Sequence, residues 1–163
     1  MSSDEFATQQ GGSKTYPAQC GALKKGSHVI LKGKPCKVVD IATSKTGKHG
    51  HAKANITGLD IFTNKKYEDC HPTSHNVDCP FVTKTDYELV SVGDDDYVTF
   101  IDKDGEFRED LKLPDDDDLS DMIKKLKEDL ALDKNLLITV VSAMGEEKII
   151  AYRDDKNADK NSS

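Results

Sequence analysis

No apolar run in this chain approaches the roughly 18 residues that a membrane-crossing helix needs. The first residues, Met1-Ser2-Ser3-Asp4-Glu5, hold neither the basic nor the apolar stretch that opens a secretory leader. A helical span and a cleaved leader are thereby set aside, and the expectation is a soluble, cytoplasmic chain with no membrane partner. Cysteine is scarce: Cys20, Cys36, Cys70 and Cys79 include no C-x-x-C pair, so buried free thiols are expected rather than disulfides. Most informative is a gap in one sign of charge. The chain holds 30 Asp and Glu, yet none falls between Asp40 and Asp60.

What is present fits one compact domain or two small ones: 163 residues, 36% hydrophobic and 33% charged, too few for a large single-core enzyme. The net charge of -7 is unevenly spread. Residues 1–84 carry 12 basic against 7 acidic residues, a balance of +5, while residues 85–163 carry 11 against 23, a balance of -12. Opposite signs in the two halves point to two modules, the basic one facing a polyanion and the acidic one turned away from it or toward a basic protein.

Inside the acid-free window lies Thr43-Ser44-Lys45-Thr46-Gly47-Lys48-His49-Gly50-His51-Ala52-Lys53. Gly47 and Gly50 lack Cβ, so the backbone can turn tightly and another surface can approach Lys48 without a side-chain clash. The pattern places Lys48 at the tip of a basic loop, and a phosphate backbone is the natural partner. On spacing alone, a glycine-flanked lysine is more often a solvated turn. A nucleotide-binding P-loop does not fit, because Ala42 and His49 stand where it needs glycine and Ser or Thr.

The remaining pattern predicts an all-β protein with one or two short helices. His28–Leu31 and Cys36–Ile41 are β-branched runs around Gly33-Lys34-Pro35, read as a hairpin turn. Ala54–Phe62 alternates loosely, Asn64-Lys65 turns, and Val77–Val82 closes the module with Pro80 at a sheet edge. Strands this short close most easily as a small barrel. In the second half, strands over Tyr87–Val92, Tyr97–Ile101 and Glu106–Leu111 precede a helix. Its face is Leu119, Met122, Ile123, Leu126 and Leu130, with Asp118 as cap and Pro114 ahead of it. Leu136–Val141 and Lys148–Tyr152 supply two strands more. Three strands, a helix and two strands match the OB barrel. The expected domains are a disordered polar tail over 1–13, a barrel over 14–84, an OB fold over 85–153 and a polar tail over 154–163, disordered from Arg153.

The loop from Ser44 to Lys53, with Asp60-Ile61-Phe62-Thr63, Lys66-Tyr67-Glu68-Asp69, Arg108-Glu109-Asp110-Leu111 and Ser142-Ala143-Met144, resembles the eukaryotic translation initiation factor 5A family. The likeness runs from about Ser13 to Tyr152. It implies an SH3-like N-terminal barrel, an OB-like C-terminal domain, and conversion of Lys48 to hypusine. In that conversion deoxyhypusine synthase transfers an aminobutyl group from spermidine and deoxyhypusine hydroxylase then adds a hydroxyl. It further implies a factor, not an enzyme and without a bound cofactor. Such a factor binds the ribosome (rRNA and ribosomal proteins) beside peptidyl-tRNA and promotes peptide bond formation at stalled sequences such as proline runs, with termination as a further role. Lys45, Thr46, Gly47, His49, Gly50, His51 and Lys53 would shape the modification loop or contact RNA, Lys45 and Lys53 through phosphates.

Two other readings stand beside this one. An RNA-binding pair of barrels without modification would tolerate Lys48→Arg. A zinc-dependent protein would use Cys70, His71, His75 and Cys79, but their spacing fits no standard finger, and a structural loop with partly buried thiols is the favoured reading. The resembling family has a Cys-Pro-Ser-Thr-His-Asn segment there and needs no metal, so His71 and the Thr73-Ser74 order depart from its pattern. The Asp94-Asp95-Asp96 and Asp115–Asp118 runs lack the glycine and glutamate places of a calcium-binding EF-hand. They read as solvated turns and as an acidic patch at a helix N-terminus. Lys24, Lys25, Lys65 and Lys66 read either as rRNA contacts or, at least as readily, as ordinary solvated surface.

Overall fold

The computed structural model describes residues 14–45 and 52–156. Apart from the turn Ala143–Gly145, the chain divides at Val82/Thr83 into two compact units. The expected tail over 1–13 lies outside the described residues.

In the first unit, β1 (Thr15–Gln19) pairs with β6 (Asn76–Pro80) as a two-stranded antiparallel sheet. The second sheet holds β2 (His28–Leu31), β3 (Lys34–Lys45), β4 (Ala52–Asp60) and β5 (Lys66–Pro72), in that order and antiparallel throughout. Period-two alternation sends Cys36 and Val38 of β3 and Ala54 and Ile56 of β4 inward, while Lys37, Lys53 and Asn55 stay exposed. These residues meet Val29, Leu31, Val77 and Cys79 in one SH3-like core. Burial pushes the Cys36 thiol up to about 11, with the Asp60 carboxylate adding to the effect, and also raises Cys20 and Cys79. Cys70 alone among the cysteines is exposed.

Several expectations are corrected here. The β2–β3 turn is Lys32-Gly33, both at positive φ (51° and 80°), as a two-residue hairpin demands. Pro35 therefore lies inside β3, opposite Ile30. Strands β1 and β5 were not anticipated. The run Thr43–Lys53 is not all loop, because β3 continues through Lys45 and β4 begins at Ala52.

The second unit contains β7 (Thr83–Val92), β8 (Tyr97–Ile101), β9 (Phe107–Lys112), the helix α1 (Ser120–Ala131), β10 (Leu136–Ala143) and β11 (Glu146–Asp154). The sheet order is β11-β10-β7-β8-β9. Its two edge strands are joined by side chains: Arg108 on β9 donates to Glu147 on β11 at 2.7 Å and to both carboxylate oxygens of Asp110 at 2.9 and 2.7 Å. The guanidinium also lies 4.9 Å from the Phe100 ring centroid. These charge-assisted bonds hold the Asp110 carboxyl below the usual carboxylate range. The curled sheet and the helix between its third and fourth strands make the OB arrangement. Leu126 is buried and Met122, Ile123 and Leu130 pack beside it against Phe100, Leu136, Ile138 and Ile149.

Asp118 is not the helix cap. A 3-10 turn over Asp117–Leu119 leads in, and Leu119 takes the N-cap position, with no side-chain cap bond there. The chain is also ordered past Arg153: β11 runs to Asp154, Arg153 pairs with Asp86 at 2.7 Å, and Asp155 N–H donates to the Asn135 carbonyl at 2.7 Å. Among the described residues, no helix is long and apolar enough to cross a membrane.

Candidate functional site

Strands β3 and β4 are the longest in the first unit, at 12 and 9 residues. A bulge falls between Val38 and Asp40, and from Asp40↔Thr57 to Lys45↔Ala52 the register runs without a slip. The last inward-facing core residue on β4 is Ala54. The pairs Ser44↔Lys53 and Lys45↔Ala52 lie beyond it, so the β3–β4 ladder outruns its own core as an arm, with β5 paired alongside as far as Lys53↔Pro72. Residues 46–51 connect the two paired ends of that arm. Thr46, Gly47, Lys48, His49, Gly50 and His51 lie outside the described residues.

Lys45 and Lys53 are exposed strand residues rather than loop residues. They belong to adjacent rows of the ladder, Lys53 opposite Ser44 and Lys45 opposite Ala52. Successive rows face opposite sides of a sheet. The two ammonium groups therefore flank the arm on both faces instead of converging on one.

The outermost described pair of the arm is braced, at Ala52, by a segment whose residues the sequence pattern suggests for other roles. Thr73 N–H donates to the Ala52 carbonyl at 2.9 Å, and the Thr73 carbonyl accepts from Gly21 N–H at 2.8 Å. The His75 carbonyl accepts from Cys20 N–H at 2.8 Å. The turn after β5 is thus tied on one side to the arm and on the other to a 3-10 turn over Cys20–Ala22. A Cβ on Gly21 would meet the Thr73 carbonyl oxygen at 3.1 Å and the Thr73 Cβ at 3.3 Å, so the close approach suits glycine. Nothing local in the sequence flagged the contact of Gly21 with Thr73, because β2 to β5 lie between the two in the chain.

The Cys70, His71, His75 and Cys79 set does not come together. Cys70 and His71 lie on β5, Cys79 is buried on β6, and His71 Nε2 sits 3.2 Å from Asp69 Oδ2. Among the described residues, no group of three or more His, Cys, Asp or Glu side chains is placed to hold a metal ion. The segment read as a loop is mostly strand, with a turn only around Thr73, Ser74 and His75.

Two further features hold β4 in register. Asp60, the one buried charged side chain among the described residues, accepts from Phe62 N–H at 2.8 Å and from Thr63 N–H at 3.3 Å. That bonding gives Asp60-Ile61-Phe62-Thr63 its shape. At Gly58, an added Cβ would stand 2.9 Å from Cys36 Cβ, 2.9 Å from Leu31 Cδ1 and 3.1 Å from the Lys37 carbonyl oxygen. Gly58→Ala is therefore expected to destabilise the protein by about 1–3 kcal/mol through overpacking. Urea denaturation measures this, and an unchanged midpoint would show that the strands part without cost.

Fold and site together define a class: two small β units in series, an SH3-like one bearing a basic arm and an acidic OB-like one. A family model described as translation initiation factor 5A-like, N-terminal, matches residues 13–75. A second, described as eukaryotic elongation factor 5A hypusine, DNA-binding OB fold, matches residues 81–153. The chain is 48% identical to eukaryotic translation initiation factor 5A-1 of Arabidopsis thaliana, covering 94% of this chain and 98% of that one. Against eukaryotic translation initiation factor 5A of Drosophila melanogaster it is 47% identical over 96% and 97% of the two chains. A solved structure of a translation initiation factor eif-5a family protein from Naegleria fowleri superposes with a TM-score of 0.81 at 49% identity, over 86% of this chain and 99% of that one. The chain belongs to the translation initiation factor 5A family, a family of translation factors.

Proposed function

We propose that this factor binds the ribosome beside peptidyl-tRNA and promotes peptide bond formation at stalled sequences such as proline runs, and assists termination, through a hypusine on Lys48. The single observation that carries this reading is the projecting arm of β3 and β4. Its last pair, Lys45↔Ala52, lies beyond the core of its own unit, and these two residues flank in the chain the segment that contains Lys48. Deoxyhypusine synthase would add the aminobutyl group from spermidine and deoxyhypusine hydroxylase would finish it, so the chain itself needs no cofactor. A lysine stem extended by a second amine is a long dication, suited to reach and pair with tRNA phosphates.

Peptidyl transfer is sensitive to alignment. A group that orients the acceptor end of a tRNA acts by proximity, without proton transfer or covalent chemistry of its own. The factor is then an accessory to the ribosome in the cytoplasm and not an enzyme. The test is a reconstituted translation assay on a proline-run message, comparing protein purified from its native cell with the same chain made in bacteria. Native protein is expected to relieve the stall and bacterial protein to fail. Equal activity of the two would overturn the role of the modification.

A further inference from the structure

The outward face of the OB unit is built unlike a surface that reads nucleic acid. The register places Leu137, Glu88, Ile101 and Phe107 in one row across β10, β7, β8 and β9. Row neighbours share a face, and this face is the outer one, because Leu89 and Phe100, one position along, are buried in the core. Phe107 is 66% exposed, and Tyr97 and Val90 on the same strands are 44% and 42% exposed. Glu88 stands in the middle of the row, between Leu137 and Ile101, and no ion pair or hydrogen bond to its carboxylate is found among the described residues. Glu106 precedes Phe107 and Glu109 follows it two residues on, each with an exposed carboxylate likewise unpaired among the described residues.

An unpaired carboxylate inside an apolar row calls for a cation that brings apolar atoms with it. Phosphate brings the wrong sign, and residues 85–163 already carry -12. We infer that this face docks a basic, extended segment of another protein, with arginine or lysine side chains paired to Glu88 and Glu109 and stacked on Phe107. Arginine suits both contacts, since its guanidinium pairs with carboxylates and lies flat on aromatic rings. Charge complementarity fixes the sign of the partner, and the exposed aromatic ring rewards contact beyond charge alone. The inference is independent of Lys48, which lies in the other unit.

The test uses the full chain, isotope-labelled, titrated in separate samples with a short peptide alternating arginine and leucine and with a single-stranded oligouridylate. The peptide is expected to shift the amide signals of Glu88, Ile101, Phe107 and Leu137. Phe107→Ala and Glu88→Gln should each weaken its binding about three- to fivefold. Both positions carry surface side chains, and a thermal melt confirms that the variants fold. The proposal is overturned if the peptide shifts only signals elsewhere, such as the acidic run Asp115–Asp118. It is equally overturned if both variants bind as the parent does, or if the oligouridylate rather than the peptide shifts the row.

Discussion

Lys48→Arg is expected to reduce stall relief on a proline-run message to the level measured with no factor added, while leaving the thermal melt of the protein unchanged. Arginine keeps the positive charge and much of the reach, so any role that needs only a cation near phosphate would survive. What it lacks is the primary amine that accepts an aminobutyl group. The variant therefore separates the modified-lysine reading from the reading of an unmodified RNA-binding pair of barrels, which predicts near-normal activity. The same reasoning extends to the flanking glycines. A bulky residue at Gly47 or Gly50 obstructs approach to Lys48 first by a modifying enzyme and later by the ribosome.

Ile56→Ala is expected to cost about 2–5 kcal/mol of stability, measured by urea denaturation of the full chain. Ile56 has no exposed surface and lies on β4 between Ile41 and Asp69 of the neighbouring strands, close to where the arm leaves the core. Truncating it opens a cavity under the two strands that carry residues 46–51. A second consequence is functional: near its lowered melting temperature the variant should be a poor substrate for modification, because the arm loses its base before Lys48 is touched. A loss of under about 1 kcal/mol would show that the neighbouring strands close over the gap.

How much of this was readable beforehand depended on whether a signal was local. The OB unit was legible in element order, because Tyr97–Ile101 alternates cleanly and Leu136–Val141 is a run of β-branched and apolar residues. The strand β5 was not. Lys66-Tyr67-Glu68-Asp69-Cys70-His71-Pro72 is an edge strand with little buried surface, and its charges mask the alternation of Tyr67, Asp69 and His71. The strand β1 escaped for a similar reason, since it contains Pro17 and its partner β6 lies far along the chain. The hairpin turn was misplaced because Gly33 and Pro35 were read as one turn, when Lys32 itself adopts positive φ and frees Pro35 for the strand.

The candidate site divides in the same way. Glycines flanking a lysine inside an acid-free window are a local pattern, and the sequence displayed it openly. The brace of the arm through Gly21, Thr73 and Ala52 depends on hydrogen bonds between residues more than twenty apart. Reading Lys45 and Lys53 as loop residues failed because ladder pairing continues past the core, which composition does not reveal. Cys70 through Cys79 looked like a ligand set only until strand direction separated the side chains.

The measurement that bears most directly on the account is an intact-mass spectrum, followed by fragment mapping, of the protein purified from its native cell. The account predicts a single modified residue, Lys48, carrying the mass of an added aminobutyl group and one hydroxyl. A spectrum in which Lys48 is bare, from cells actively making protein, would contradict it.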